Sequence, residues 1–105
     1  MTTTWAYIFH HDGADPTRDR MLLENSGYRS LIVAVDSVAD APELARDLVA
    51  KENVLYVEVC GAFSTADALR VSEAVGPDIA VGHTTFSQEA LSGLQRFVAA
   101  VTPSA

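Results

Sequence analysis

Histidine, cysteine and hydroxyl side chains follow the apolar runs of this 105-residue chain. All three histidines and the single cysteine lie in such segments, which are His10-His11-Asp12, Asp36-Ser37, residues 60–64 and His83-Thr84-Thr85. In open α/β sheets, ligands bind at the carboxyl ends of the strands, because helix N-termini converge there and the loops carry polar groups. We therefore expect a small-molecule pocket at this edge of a sheet.

Glu58 is the most informative single residue, because it interrupts an otherwise apolar run over residues 54–59. Strand alternation predicts that it shares a face with Val54, Tyr56 and Cys60. A carboxylate that is buried without a partner acquires a raised pKa and can serve as a general acid or base near neutral pH. The alternative is that Glu58 lies near a mouth or a dimer contact and binds a backbone N–H or an arginine such as Arg29.

Cys60 precedes a predicted helix N-terminus, where the helix dipole favours a reactive thiolate. His83 ends the next predicted strand, so a Cys–His pair is geometrically feasible. The competing interpretation, which we favour, is that Cys60 is a small buried hydrophobe. The N–H groups of Gly61, Ala62 and Phe63 could hold a carboxylate or phosphate, although Gly61 alone is explained by the turn.

His10 and His11 are adjacent in a strand, so they face opposite sides and only one should enter a pocket. Thr84 and Thr85 could bind a small anion or cap the final helix, and capping is the favoured interpretation. Five aromatic residues could line an apolar pocket, but strand aromatics more often belong to the core: Tyr7, Phe9, Tyr56, Phe63 and Phe86.

No metal and no cofactor are predicted. The histidines, Cys60 and Glu58 lack the i, i+4 or Cys-x-x-Cys spacing that is typical of zinc sites. No glycine-rich dinucleotide fingerprint is present either, which disfavours redox chemistry.

Four apolar runs predict strands, over residues 5–9, 31–35, 54–59 and 79–82. Helices are predicted between and after them. The first follows Asp15 as its cap and Pro16 at its first position, with Met21, Leu22 and Leu23 directed inward, and ends near Asn25 before Ser26-Gly27.

Later helices begin after Ser37 or Asp40, after Ser64 with Asp67 in a capping box, and after Ser87. The last one should direct its apolar face inward, which comprises Leu91, Leu94, Phe97, Val98 and Val101. The tail over residues 102–105 should fray.

The fold class is α/β, because strands and helices alternate with crossovers of a dozen residues or more. We predict one small domain over residues 1–105, with a mostly parallel four-stranded sheet in βαβαβαβα order. Two arrangements stay open: helices on both faces in a flavodoxin-like way, or on one face as in half a barrel. Because a four-stranded sheet is small, we expect a homodimer.

Charge and composition exclude several partners. The net charge is −7, and no run of lysine or arginine could neutralise phosphates, so nucleic acid and anionic membranes are not expected partners. No apolar run approaches the roughly 20 residues of a membrane span. A single cysteine and an opening that is unlike a signal peptide favour a cytoplasmic protein.

Four segments together resemble a known family: Trp5 to Ile8, Gly13 to Pro16, Glu58 to Phe63 and Val81 to Phe86. They are similar to a family of short bacterial proteins known only as a domain of unknown function. The resemblance spans nearly the whole chain. It implies a single compact domain and no settled activity.

These features predict a cytoplasmic small-molecule-binding protein, with Glu58, Cys60 and His83 as candidate catalytic residues. If it is catalytic, the groups suit cofactor-independent acid–base chemistry of the isomerase, lyase or hydrolase type. The alternative is a non-catalytic, homo-oligomeric binding or assembly module whose strand-end histidines are incidental.

Overall fold

The computed structural model describes residues 2–103 and contains a five-stranded sheet with three α-helices. The strands are β1 (Thr3–His10), β2 (Arg20–Asn25), β3 (Tyr28–Val35), β4 (Val54–Val59) and β5 (Ala80–His83). The helices are α1 (Ala41–Glu52), α2 (Thr65–Val75) and α3 (Leu91–Val101), and short 3-10 turns at Val38–Asp40 and Gln88–Ala90 precede α1 and α3.

The sheet has the strand order β2-β3-β1-β4-β5. Strand β1 pairs in parallel with both β3 and β4, β4 pairs in parallel with β5, and only β2 runs antiparallel to its neighbour. The α/β class and the mostly parallel sheet are therefore confirmed. The prediction of four strands was wrong, because a fifth strand lies at the edge next to β3.

That fifth strand, β2, replaces the helix predicted between Pro16 and Asn25. Ser26 and Gly27 have φ values of 50° and 83°, the positive pair that a two-residue type I′ hairpin loop requires. They join β2 to β3 rather than ending a helix. Asp15 does not cap a helix either, since its carboxylate accepts hydrogen bonds from the Thr17 N–H at 2.9 Å and the Thr17 hydroxyl at 2.7 Å.

One face of the sheet, the closed face, is covered by α1 and α2. Alternate strand residues such as Ile8, Val33 and Val57 are fully buried there. Ala45 of α1 and Val71 of α2 pack into the same core and are also inaccessible. Because apolar burial is the main favourable term in folding, this layer supplies most of the stability of the fold.

Local signals fix where these two helices begin. The predicted capping box of α2 is present: the Ser64 hydroxyl accepts the Asp67 N–H at 3.1 Å and the Asp67 carboxylate accepts the Ser64 N–H at 2.9 Å. Ser37 caps the 3-10 turn before α1 by accepting the Ala39 N–H, whereas Asp40 lies at the N-cap of α1 without a side-chain hydrogen bond.

The opposite face, the open face, carries Trp5, Tyr7, Phe9, Ile32, Tyr56 and Glu58, each of which is only half-buried. Helix α3 contributes no buried residue, so the prediction that its apolar side chains point into the core was wrong. The domain extends 48 Å in its longest dimension and 28 Å and 27 Å in the other two. Helix α3 is thus an amphipathic helix whose apolar side lacks close packing within the described chain.

The tail that was predicted to fray lies partly outside the description. Helix α3 ends at Val101, and the Thr102 N–H still bonds to the Val98 carbonyl at 3.0 Å. Residues 104 and 105 are outside the described residues. Within residues 2–103, every helix is too short or too polar to cross a bilayer.

Candidate functional site

A cleft of about 1410 Å³ separates the open face from helix α3. Its floor is formed by side chains of β1 and β3, which are Tyr7, Phe9 and Ile32. Leu94 and Phe97 of α3 lie on the facing wall. Concave, mostly apolar surfaces with a few polar groups are where proteins bind small molecules, so this cleft is the candidate site.

One end of the cleft is formed by the loop that follows β4. Cys60, Gly61 and Ala62 line it, as the sequence analysis predicted for the carboxyl end of this strand. The Cys60 Sγ accepts the backbone N–H of His10 at 3.5 Å, which ties the ends of β4 and β1 together. A side chain at Gly61 would meet the Phe86 ring at 2.8 Å, so glycine allows that ring to cover the loop.

Tyr7 supplies a hydroxyl group to the floor of the cleft. Its pKa is raised, first by desolvation and then by electrostatic contributions from Cys60 and Glu58, while the Thr84 side chain acts in the opposite direction. A phenol with a raised pKa is protonated at neutral pH. Tyr7 therefore presents a hydrogen-bond donor beside an otherwise apolar surface.

Glu58 lies next to Tyr7 in the sheet but is not among the residues that line the cleft. Its carboxylate accepts a hydrogen bond from the Tyr56 hydroxyl at 2.7 Å, and this bond is the main cause of a raised pKa for Tyr56. Gly82 of β5 lies opposite Glu58, and a side chain there would approach the Tyr56 oxygen to 3.1 Å. The absent side chain leaves room for the Tyr56–Glu58 pair.

Two details of the Glu58 environment differ from the sequence analysis. Arg29, the suggested partner, instead bonds to Glu24 at 3.3 Å and Glu52 at 3.4 Å. The predicted face of Val54 was also wrong. The register of β4 against β1 shifts between Thr4 and Ala6, so Val54 is buried on the closed face while Glu58 stays on the open face.

His83 is not brought together with Glu58 or Cys60. It pairs in register with Val59, whose side chain is buried on the closed face, whereas Glu58 and Cys60 belong to the open face. A Cys60–His83 pair across the sheet is therefore not formed. Phe63 is also remote from the cleft, because its ring lies in the core with 4% exposure.

The adjacent histidines both border the cleft and are exposed, so the prediction that only one of them enters a pocket was wrong. Strand β1 ends at His10, and His11 lies beyond it, where strand alternation does not apply. The His10 Nε2 lies 2.8 Å from the Asp12 carboxylate, which is itself largely exposed. Thr84 contacts the end of β4 through its N–H, which donates to the Val59 carbonyl at 3.1 Å. Thr85 is exposed and does not line the cleft. In residues 2–103, no three His, Cys, Asp or Glu side chains come together in a way that could hold a metal ion.

Comparison with known proteins places this fold in a family. Residues 3–99 match a family described as a family of unknown function, DUF6506. The chain belongs to that family. This confirms the resemblance to proteins known only as a domain of unknown function. No curated protein and no solved structure matches the chain.

The two walls of the cleft were not predicted from the sequence. The sequence favours Tyr7 and Phe9 as core aromatics over pocket residues, and it predicts Leu94 and Phe97 as inward-facing residues of the last helix. The pattern of apolar residues is the same for a helix that packs on a sheet and for one that stands away from it. The hydroxyl of Tyr7 was the available signal, because a buried tyrosine needs a partner for its O–H.

Proposed function

We propose that this protein binds a small, largely apolar molecule in the cleft between α3 and the open face of the sheet. The observation that carries the proposal is the composition of the two walls. Tyr7, Phe9 and Ile32 on the sheet oppose Leu94 and Phe97 on the helix across a connected space. Aromatic and aliphatic walls with a few polar groups favour an apolar ligand whose polar group is placed by a hydrogen bond.

Tyr7 is the residue that we propose orients the ligand. A tyrosine phenol is protonated over the physiological range, and the raised pKa of Tyr7 acts in the same direction, so it can donate a hydrogen bond to a carbonyl or ether oxygen. Gly61 and Ala62 of the loop after β4 also line the cleft. A ligand oxygen bonded to Tyr7 would leave the apolar part of the ligand against Phe9 and Phe97.

Acid–base catalysis is the finer part of the proposal and depends on Glu58. Its carboxylate lies beside Tyr7 and is held by the Tyr56 hydroxyl, outside the lining of the cleft. A proton transferred between Glu58 and a bound molecule would therefore need a relay group between them. Binding needs no such relay, so it is the function that the geometry supports best.

Assembly of several copies is a second candidate function, and one observation favours it. The apolar side chains of α3 are largely exposed, with Phe97 at 63% and Val101 at 61%. Ligand binding and assembly use the same surface and are compatible with each other.

A matched pair of probes tests the binding proposal. 2-Acetylnaphthalene carries a carbonyl acceptor, and 2-ethylnaphthalene has nearly the same shape without one. We expect the ketone to bind about 5-fold more tightly, which corresponds to one neutral hydrogen bond of roughly 1 kcal/mol. NMR titration of uniformly labelled protein would give both affinities and would locate shifts at Cys60, Gly61 and the β1 residues.

Tyr7→Phe is the variant that separates the hydrogen bond from the apolar contact. It removes only the hydroxyl, so we expect it to abolish the preference for the ketone while leaving affinity for the hydrocarbon within 2-fold. Tyr28→Phe is the control, because Tyr28 is exposed at the start of β3. Absence of binding by either probe, or an unchanged preference in Tyr7→Phe, would refute the proposal.

A further inference from the structure

We propose that a second copy of this chain packs its α3 into the outer part of the cleft, so that each copy closes the other's binding site. The proposal starts from two unpartnered apolar surfaces on one molecule. One is the apolar side of α3, and the other is the open face of the sheet. A two-fold symmetric pair of chains can cover both surfaces in both copies at once.

The exposed side chains on this side of the molecule are numerous and large. On β2, Met21 pairs with Ile32 and Leu23 pairs with Ser30, so both extend the open face toward the sheet edge. Each of six large side chains from β2 and α3 is at least half exposed: Met21, Leu23, Leu91, Phe97, Val98 and Val101. An apolar surface of this kind on an isolated chain marks an interaction site.

The area available is close to that of a stable interface. At roughly 80 Å² of apolar surface each, these six side chains offer on the order of 500 Å². The half-buried rings of Trp5, Tyr7 and Phe9 add to it. Specific complexes bury about 800 Å² on each partner, of which about 57% is apolar, so one such surface on each of two chains is enough.

The distribution of charge favours a second copy over a charged partner. The chain carries a net charge of −7, yet the six side chains above are all uncharged. Three acidic groups lie at or near the cleft: Asp12 and Glu89 belong to its lining, and Glu58 lies on the open face beside Tyr7. Two copies can therefore meet through the neutral surface while most of their like charges stay apart in solvent.

The size of the cleft points to the same occupant. Small-molecule sites usually enclose about 300–1,000 Å³, and the cleft of about 1410 Å³ exceeds that range. Side chains from a partner helix would fill its outer part, between Phe97 and the sheet edge. The inner end at Tyr7 and Cys60 would keep the dimensions of an ordinary ligand site, closed by the second chain.

Sedimentation velocity of the full chain over a range of concentrations tests the proposal. We expect the wild-type chain to sediment with twice the mass of a single chain at micromolar concentration. Phe97→Glu places a charge in the proposed contact and should raise the dimer dissociation constant by about 30-fold or more. Circular dichroism would verify that the variant keeps its secondary structure.

Leu69→Glu is the matched control. Leu69 lies on α2 on the far side of the sheet and is 57% exposed, close to the 63% of Phe97. We expect this variant to remain dimeric with an unchanged dissociation constant. A monomeric wild-type chain, a dimer that withstands Phe97→Glu, or a dimer that is lost equally in Leu69→Glu would overturn the proposal.

The two proposals fail separately. Tyr7→Phe should remove the preference for 2-acetylnaphthalene and leave the dimer intact. A dimer without ligand preference would refute the hydrogen-bonding role of Tyr7 only. Ketone preference in a strictly monomeric chain would refute the shared site only.

Discussion

The two faces of the sheet are built from the same strands and differ in what covers them. On β1, Ile8 is fully buried beneath α1 and α2, whereas its neighbours Tyr7 and Phe9 are half-buried beside the cleft. On β4, Val57 and Val59 are inaccessible, whereas Glu58 between them holds a hydrogen bond to Tyr56. Alternation along β1 and β4 thus assigns aliphatic residues to the core and aromatic or polar residues to the open face.

This difference separates the side chains that stabilise the fold from those that face the cleft. The closed face has the small, branched side chains that pack densely between a sheet and helices. The open face has the hydroxyl, carboxylate and thiol groups that could recognise a ligand. The position of a residue in its strand therefore indicates whether it packs in the core or lies on the open face. Substitutions at neighbouring positions should differ in how much stability they cost.

The largest contrast is expected between Ile8→Ala and Phe9→Ala. Ile8 is fully buried, so its truncation should cost about 3 kcal/mol of unfolding free energy through lost burial and a cavity. Phe9 is half-buried and should cost about 1 kcal/mol despite its greater size. Urea unfolding in a Phe97→Glu background would exclude contributions from association. Equal losses would show that the open face is packed as tightly as the closed one.

A smaller contrast is expected at the helix starts. Ser64 accepts a hydrogen bond in the capping box of α2, so Ser64→Ala should cost about 1 kcal/mol. Ser87 precedes α3 and its 3-10 turn without a side-chain capping bond, so Ser87→Ala should cost no more than about 0.3 kcal/mol. Thermal unfolding measures both. If Ser87→Ala lost as much stability as Ser64→Ala, the start of α3 would contribute more to folding than its exposure indicates.

Alkaline pH should reduce the stability that Tyr56 contributes on the open face. The hydrogen bond to Glu58 raises the pKa of Tyr56, so the folded chain keeps this proton at a pH where the unfolded chain loses it. Stability from this group is fully present below about pH 10 and falls as pH rises through the folded pKa. Unfolding between pH 8 and 11 should show that fall, and Tyr56→Phe should reduce it. An identical pH profile in Tyr28→Phe and Tyr56→Phe would contradict the assignment.

Acid pH should reduce the stability that the capping box of α2 contributes on the closed side of the sheet. This is the smallest of the expected effects. Hydrogen bonds from Ser64 lower the pKa of Asp67, so stability from this half-buried carboxylate is present above about pH 4 and is lost as pH falls through the folded value. Asp67→Asn should flatten the profile of thermal stability between pH 5 and 2. Asp78→Asn serves as the control, and a comparable flattening there would argue against the capping box as the cause.

The elements that pack on the closed face could be predicted from the sequence. The apolar runs at β3 and β4 and the capping box at Ser64 and Asp67 depend on contacts within a short stretch of chain. The edge of the sheet could not be predicted as well. Met21, Leu22 and Leu23 suit either a short helix or a strand, and the Ser26-Gly27 pair was interpreted as a helix stop rather than as a hairpin loop.

The candidate site was predicted only in part, because pairing across strands decides which side chains meet. The carboxyl end of β4, with Cys60 and Gly61, does border the cleft. His83 seemed close to Cys60 in strand order, yet its register with Val59 directs it to the other face. A one-residue change in register reverses the face of every side chain, and the sequence of a single strand does not determine that register.

Helices α1 and α2 both cover the same face of the sheet, and this determines which substitutions leave the core undisturbed. The residues that hold the fold together and those that line the cleft alternate along the strands and lie on opposite faces of the sheet. Substitutions on the open face therefore leave the core largely undisturbed. We therefore expect substitutions at positions 7, 9 and 32 to change the surface of the cleft without first requiring extra stability.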